Sequence, residues 1–135
     1  MLAGFGSPRL GLIECSMGPS VVVSVSGEVD LATTAQLSEA LGAALRRGAV
    51  GLVCDLTGVS FLGAAGLTAL LVARRRAIAC HSWFDLVYPQ PFPRKVIALV
   101  GLDAVFSLHD RVAAAVGAQA RHGDLPGLTT APEAG

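Results

Sequence analysis

The sequence predicts an α/β fold, with a mixed β-sheet of about four to five strands and helices mainly on one face of the sheet. Short apolar runs, several of them β-branched, alternate along the chain with longer stretches whose apolar residues recur at helical spacing. Only a turn signal separates the first two runs, whereas helical stretches separate the later ones. The predicted order is therefore β-β-α-β-α-β-α-β-α, with a hairpin first and right-handed crossovers between parallel strands afterwards.

The N-terminal part of the chain predicts an arm followed by a hairpin. Residues 1–10 contain Gly and Pro without periodicity and are expected to form a flexible arm. Gly11 to Met17 is predicted to be an edge strand, and Gly18-Pro19-Ser20 is a turn signal. The run from Val21 to Ser26 is β-branched and is expected to be the second strand.

The first helix is predicted to follow this hairpin. Asp30 or Thr33 can cap its N-terminus, and Gln36 stands three residues after Thr33 as in a capping box. Arg46-Arg47 followed by Gly48 supplies the basic last turn and the stop signal. The residues expected to face the core share one side of this helix: Leu37, Ala40, Leu41, Ala44 and Leu45.

The central stretch predicts a strand, a turn and a second helix. Leu52-Val53-Cys54 is short and apolar, as in a buried strand, and Asp55 with Thr57-Gly58 is expected to close it with a turn anchored by the carboxylate. A second apolar patch, Val59 to Leu62, follows. Gly63-Ala64-Ala65-Gly66 then precedes an apolar helical face, so this helix would begin with its N–H groups uncovered by any bulky side chain.

The remaining elements are shorter. Trp83 to Tyr88 is predicted to be a strand, and Pro93 is expected to start a short helix that ends at Gly101. Val105 to Leu108 is a further candidate strand. Asp110 is a suitable cap for a last helix, with an expected inward face of Val112, Ala113 and Val116.

The length of the chain favours one domain over two. A chain of 135 residues can bury a core of its own, and the predicted elements place the domain at residues 11–120. From residue 121 onward the sequence lacks apolar periodicity, which predicts a disordered C-terminal tail over residues 121–135.

Composition argues against several classes of partner. The formal net charge is zero and 15% of the residues are charged, so no overall basic field attracts nucleic acid or an anionic membrane. The apolar runs are too short for a spanning helix, and no signal-peptide pattern is present at the N-terminus. We therefore expect a cytoplasmic protein that binds neither nucleic acid nor membrane.

The three cysteines do not predict a metal site. Cys15, Cys54 and Cys80 are widely spaced and form no CxxC pair, so neither a metal nor another cofactor is expected. Cys54 lies in an apolar strand and is most simply a core residue, whereas Cys80 stands beside His81, which can lower a thiol pKa in an exposed place. A redox role is a minor possibility for Cys80 and Cys54.

Catalysis has little support. The histidines stand next to turn or tail signals, and no nucleophile elbow, zinc-protease helix or phosphate loop is present. The small residues before the second predicted helix permit only a weak nucleotide-binding hypothesis, since no flanking Lys or GxGxxG accompanies them. We expect no enzyme activity.

Three segments together resemble a known family. The pattern from Asp55-Leu56 through Gly58-Val59, Phe61-Leu62 and Gly66-Leu67 to Leu70-Leu71 resembles the central motif of the STAS domain of bacterial anti-sigma factor antagonists. Gly27 to Thr33 and Val100 to Phe106 resemble two further segments of that family, so the likeness covers roughly residues 11–118. The resemblance implies a STAS-type fold and, as partner, an anti-sigma factor of the GHKL kinase type; a homodimer is also possible.

The sequence departs from that family at one position. Typical antagonists have Asp-Ser-Ser before the helix and are phosphorylated on the first serine, but this chain has Gly63-Ala64-Ala65. Since Ala64 has no hydroxyl, the family's phosphorylation site is absent. The surface that the resemblance implies for partner binding comprises Asp30, Thr33, Ser60, Gly63, Ala64, Ala65, Gly66 and Thr68.

Three interpretations of this departure remain open. The protein binds an anti-sigma factor without the serine switch and is controlled by expression, a thiol, or another residue such as Ser60 or Thr68. Alternatively, it is a STAS scaffold or a sensory module that binds a small ligand and does not act on a sigma factor. Thirdly, the two alanines simply favour a helix and close packing.

Overall fold

The computed structural model describes residues 9–88 and 105–122, which form one sheet and three helices. The strands are β1 (Gly11–Met17), β2 (Ser20–Val29), β3 (Gly51–Leu62), β4 (Trp83–Val87) and β5 (Ser107–His109). The helices are α1 (Thr34–Arg46), α2 (Ala64–Ala79) and α3 (Val112–His122). The predicted arm, except its last two residues, and the helix predicted from Pro93 to Gly101 lie outside the described residues. Helix α3 extends two residues into the predicted tail, the rest of which is also outside them.

The strands form a five-stranded mixed sheet in the order β1-β2-β3-β4-β5. β1 and β2 are antiparallel, as expected of a hairpin, and their turn contains Gly18 at φ +59°. β2, β3, β4 and β5 are mutually parallel, as expected of strands joined by helical crossovers. The predicted fold class is confirmed.

β3 differs from its prediction because it does not turn at Thr57-Gly58. The strand continues to Leu62, and its pairing with β2 shifts twice, each time with one additional residue in β3. These shifts are β-bulges, which absorb the extra residues without ending the strand. The Asp55 carboxylate accepts a hydrogen bond from the Thr57 N–H at 3.0 Å, as predicted. The prediction that the strand ends in a turn at this point is wrong.

The helices cover both faces of the sheet unequally. α1 and α2 pack on one face and enclose the main core, which includes Leu41, Leu52 and Leu70. α3 packs on the opposite face, where Ala115 contacts a small cluster with Val53. Two of the three described helices therefore share a face, as predicted. In α3, Ala113 was predicted to face inward but is exposed, and Ala115 is buried instead.

A buried polar network holds α3 to the sheet. The Gln119 carboxamide accepts a hydrogen bond from Ser20 Oγ at 2.6 Å and donates to Asp85 Oδ2 at 2.7 Å and to the Leu52 carbonyl at 3.0 Å. The other Asp85 oxygen lies 3.0 Å from Nε2 of His109 at the end of β5. Since buried polar groups are costly without partners, this network favours one position of α3 on the sheet.

The ends of α1 are determined by contacts that differ from the predicted capping box. Thr33 is the N-cap residue, but its side chain makes no capping hydrogen bond to the helix. The Gln36 side chain instead accepts a hydrogen bond from the Leu10 N–H at 2.8 Å, which ties the chain before β1 to the helix. At the other end Gly48 adopts φ +85° and donates to the Leu45 carbonyl, which confirms the predicted stop.

Candidate functional site

The predicted site residues come together where β2 and β3 end side by side. A loop of residues 30–33 follows β2, and α2 begins directly after β3. The Gly63 N–H donates to the Val29 carbonyl at 2.9 Å, and the Thr34 hydroxyl donates to the Ala65 carbonyl at 3.2 Å. The loop and the start of α2 are therefore fixed against each other at the carboxyl ends of parallel strands, where open α/β sheets commonly place their sites.

The loop is held by its own polar side chains. The Asp30 carboxylate accepts a hydrogen bond from the Ala32 N–H at 2.9 Å. Thr33 Oγ1 accepts from the Asp30 N–H at 3.0 Å and donates to the Glu28 carbonyl at 2.7 Å. Thr33 is only 2% exposed, so in the free protein its side chain positions the loop, and its contact with a partner stays a prediction.

The loop and the helix start line a shallow apolar cleft of about 550 Å³. We call it the apolar cleft. Its lining residues are Asp30, Leu31, Ala32, Phe61, Gly63, Ala64 and Ala65. Leu31 is 87% exposed and Phe61 is 43% exposed, although both are large apolar side chains. Adjacent exposed apolar residues beside a rigid backbone are typical of a protein-interaction surface.

Neither Leu31 nor Phe61 was predicted to be an exposed site residue. Phe61 belongs to an apolar run that favours a buried strand, and two bulges precede it in β3. Leu31 follows Asp30 in a loop without periodicity, so nothing in its sequence context distinguishes a core residue from an exposed one.

The start of α2 is small and accessible. Gly63 is its N-cap residue and makes no side-chain capping bond, and the first turn contains no acidic residue. Ala64 is exposed and Ala65 is partly exposed. The positive end of the helix dipole therefore lies at the cleft, and the first residues of α2 have no side chain larger than a methyl group.

Gly66 does not belong to the accessible surface. It is buried, and a Cβ atom at this position would lie 2.6 Å from Leu62 Cδ1 and 2.7 Å from Val29 Cγ1. This glycine allows α2 to approach the two strand ends closely. The predicted contact of Gly66 with a partner stays a prediction, and in the free protein this residue positions the helix start.

Ser60 and Thr68 lie outside the apolar cleft. Both are exposed; Thr68 Oγ1 donates to the Ala64 carbonyl at 3.1 Å, and Ser60 Oγ lies 3.4 Å from the Gly27 carbonyl. Of the eight predicted site residues, the cleft gathers Asp30, Gly63, Ala64 and Ala65.

The cysteines differ in accessibility. Cys54 is fully buried, and burial, with a smaller effect of the neighbouring Asp55 carboxylate, raises the pKa of its thiol far above the usual range. Burial disfavours the thiolate, which is the reactive form, and a redox role for Cys54 stays a prediction without support from the structure. Cys15 and Cys80 are exposed and free, so the structure leaves the Cys80 hypothesis untested.

The described part of the chain offers neither a metal-binding cluster nor a membrane-spanning helix. Residues 9–88 and 105–122 contain no cluster of His, Cys, Asp or Glu that could hold a metal ion. Among the helices of the same residues, none is long and apolar enough to cross a membrane.

Fold and site together define the class of protein. The features of the site are an exposed apolar pair, a fixed loop and a bare helix N-terminus on a small α/β sheet. This combination is typical of small domains that contact other proteins.

Comparison with known proteins assigns the chain to a family. A family model described as Mlab, STAS domain matches residues 16–112. The chain therefore belongs to the STAS domain family, as its sequence motifs indicated.

The chain is also similar to anti-sigma factor antagonists. Over 93 residues it is 40% identical to the anti-sigma-F factor antagonist RsfB of Mycobacterium tuberculosis, a match that covers 66% of this chain and 75% of RsfB. A crystal structure of an anti-sigma factor antagonist from Mycobacterium paratuberculosis is 33% identical, with a TM-score of 0.77 over 82% of this chain and 94% of that one. The relatives are thus regulatory proteins.

A more distant structure shares the fold alone. The Bacillus cell fate determinant SpoIIAA in its phosphorylated form is 24% identical, with a TM-score of 0.61, over 81% of this chain and 97% of that one.

Proposed function

We propose that this protein is an anti-sigma factor antagonist that binds its anti-sigma factor through the apolar cleft. The observation that carries the proposal is the exposure of Leu31 and Phe61 beside the start of α2. The names of its relatives support the same role. We infer that the partner is a cytoplasmic anti-sigma factor of the GHKL kinase type.

Burial of the two apolar side chains supplies the affinity in this proposal. Burying a fully exposed Leu or Phe side chain contributes about 1.5–3 kcal/mol. The loop that carries Leu31 is already ordered by Asp30 and Thr33, so little conformational entropy is lost when the partner binds. Leu31 is therefore expected to be a hot spot of the interface.

The proposed antagonist lacks a serine switch at the helix start. A phosphate adds about −1.5 to −2 charges, which disfavours a desolvated apolar interface. Gly63, Ala64 and Ala65 have no hydroxyl group to accept a phosphate. In this proposal the protein stays competent to bind, and its control comes from elsewhere.

The test is capture of partners from a lysate of the source cells by the immobilised full-length protein, with identification by mass spectrometry. The wild type should retain an anti-sigma factor, and Leu31→Lys and Ala64→Glu should lose it. Glu at Ala64 faces the positive end of the α2 dipole, so it leaves the fold intact. Val72→Lys is the matched control, because Val72 is an exposed apolar residue of α2 outside the cleft.

Two results would contradict the proposal. If the wild type retains no anti-sigma factor, the STAS domain serves as a scaffold or as a ligand-binding module instead. If all four proteins retain the same anti-sigma factor equally, the interface lies away from the apolar cleft.

A further inference from the structure

β1 offers an open edge of the sheet. It is the terminal strand, and no strand among residues 9–88 and 105–122 pairs with its outer side. All of its residues are exposed. An edge strand presents a row of unpaired N–H and C=O groups, which is a template for pairing with another strand.

This edge lacks the usual features that discourage such pairing. The segment Gly11–Met17 contains no Pro, and its one charged residue, Glu14, forms an ion pair with Arg47 of α1. Ile13 is 69% exposed and Met17 is 42% exposed. Natural edge strands are commonly protected by lysine, proline or short length, and β1 has none of these.

One face of β1 carries only apolar side chains and cysteine, and the other combines Leu12 with two polar side chains. Cys15 pairs with Val22, which contacts α3, so Ile13, Cys15 and Met17 lie on the α3 side of the sheet. Leu12, Glu14 and Ser16 lie on the opposite side, where Glu14 forms its ion pair with Arg47.

A second copy of β1 complements these faces in one register. In an antiparallel pair, residues directly opposite each other lie on the same face of the sheet. A two-fold axis between two copies of β1 must therefore place one residue opposite its own copy. An axis through Cys15 places Ile13 opposite Met17 on one face and Glu14 opposite Ser16 on the other. Apolar side chains then meet each other, and each carboxylate meets a hydroxyl that can donate a hydrogen bond.

Two registers shifted towards Gly11 are less favourable. An axis through Glu14 places the two Glu14 carboxylates opposite each other, and directly opposed like charges destabilise a strand pair. An axis through Ile13 places Leu12 opposite Glu14, which sets an apolar side chain against a carboxylate. The register centred on Cys15 is free of both conflicts.

We propose that β1 pairs antiparallel with β1 of a second copy of this chain, with Cys15 at the two-fold axis. The two sheets then become one continuous sheet, and the apolar cleft at the far ends of β2 and β3 remains open. The paired segment Ile13–Met17 is short, so the buried area falls below the ~800 Å² per partner of a standard interface. The dimer is accordingly weak and its population depends on concentration.

Sedimentation velocity and thiol cross-linking of the full-length chain test this dimer together. A Cys80→Ser background leaves Cys15 as the accessible thiol, because Cys54 is buried. A short bismaleimide should then link two chains through Cys15, and the weight-average mass should approach twice that of the monomer as concentration rises from about 5 to 500 μM. Adding Cys15→Ser should abolish the cross-link without changing the sedimentation.

Two charge variants make the test specific. Ile13→Lys should abolish both the cross-link and the increase in mass, and circular dichroism should show an unchanged fold, since Ile13 is exposed. Leu31→Lys, a matched change of an exposed apolar residue in the cleft, should retain both. A monomer at every concentration overturns the proposal, and so does a dimer that survives Ile13→Lys. Neither result affects the proposed binding of an anti-sigma factor.

Discussion

Replacing Gly66 with alanine is expected to destabilise the protein, although alanine is the better helix former. The new Cβ atom would lie 2.6 Å from Leu62 Cδ1 and 2.7 Å from Val29 Cγ1, both in the main core. Inserting a methyl group into a packed core costs roughly 1–3 kcal/mol. The gain in helix propensity is at most about 1 kcal/mol, so we expect a net loss of up to about 2 kcal/mol.

Gly117 in α3 supplies a matched control. Among the described residues, a Cβ atom there would meet the end of the Arg121 side chain alone, at 3.5 Å. Gly117→Ala therefore gains helix propensity without a clash and is expected to stabilise the protein by about 0.5–1 kcal/mol. The same substitution in two helices thus changes stability in opposite directions.

Urea unfolding followed by circular dichroism measures both changes. The midpoint should fall for Gly66→Ala and rise for Gly117→Ala, with little change in the slope of the free energy of unfolding against urea. A Gly66→Ala protein as stable as the wild type would refute the argument that this glycine allows α2 to approach β2 and β3. The close contact that places Ala64 and Ala65 at the cleft would then need another explanation.

Two further predictions concern groups buried in the sheet. Gln119→Ala leaves Ser20 and Asp85 without their shared partner, so the free energy of unfolding in urea should fall by roughly 2–4 kcal/mol, and a loss below about 0.5 kcal/mol would contradict the network. Burial raises the pKa of both Cys54 and Tyr88, so the folded protein keeps these groups protonated where the unfolded chain ionises them, with pKa values of about 8.5 and 10. The contribution of these two groups to stability is therefore constant below about pH 8 and declines as pH rises above it. A Cys54→Ala variant should show a smaller decline between about pH 8 and 10. A thiol reagent that modifies Cys54 in the native protein at neutral pH would contradict this account.

The elements of this fold follow from local patterns in the sequence. The apolar face of α1, the stop at Gly48 and the hairpin turn at Gly18 depend on residues close together in the chain. Periodicity and glycine at a left-handed position are local properties, so they can be recognised without the fold. The order of strands and helices then implies a mixed sheet.

The site was predicted only in part because its geometry depends on pairing between distant segments. The two bulges in β3 arise from its register with β2, and they carry the strand past the predicted turn to the exposed Phe61. Gln119 likewise stands among alanines in α3, and its partner Ser20 is 99 residues away in sequence. No local sequence pattern distinguishes residues with such long-range contacts from their neighbours in the chain.

The most direct test of the docking surface is the affinity of the purified protein for the captured anti-sigma factor, measured by isothermal titration calorimetry. Ala64→Glu places a charge where the interface must be desolvated, and we expect it to weaken binding by about 10- to 100-fold. Val72→Lys should bind as the wild type does. Affinities within twofold of each other for wild type, Ala64→Glu and Leu31→Lys would contradict the account, because the partner would then bind elsewhere on the domain.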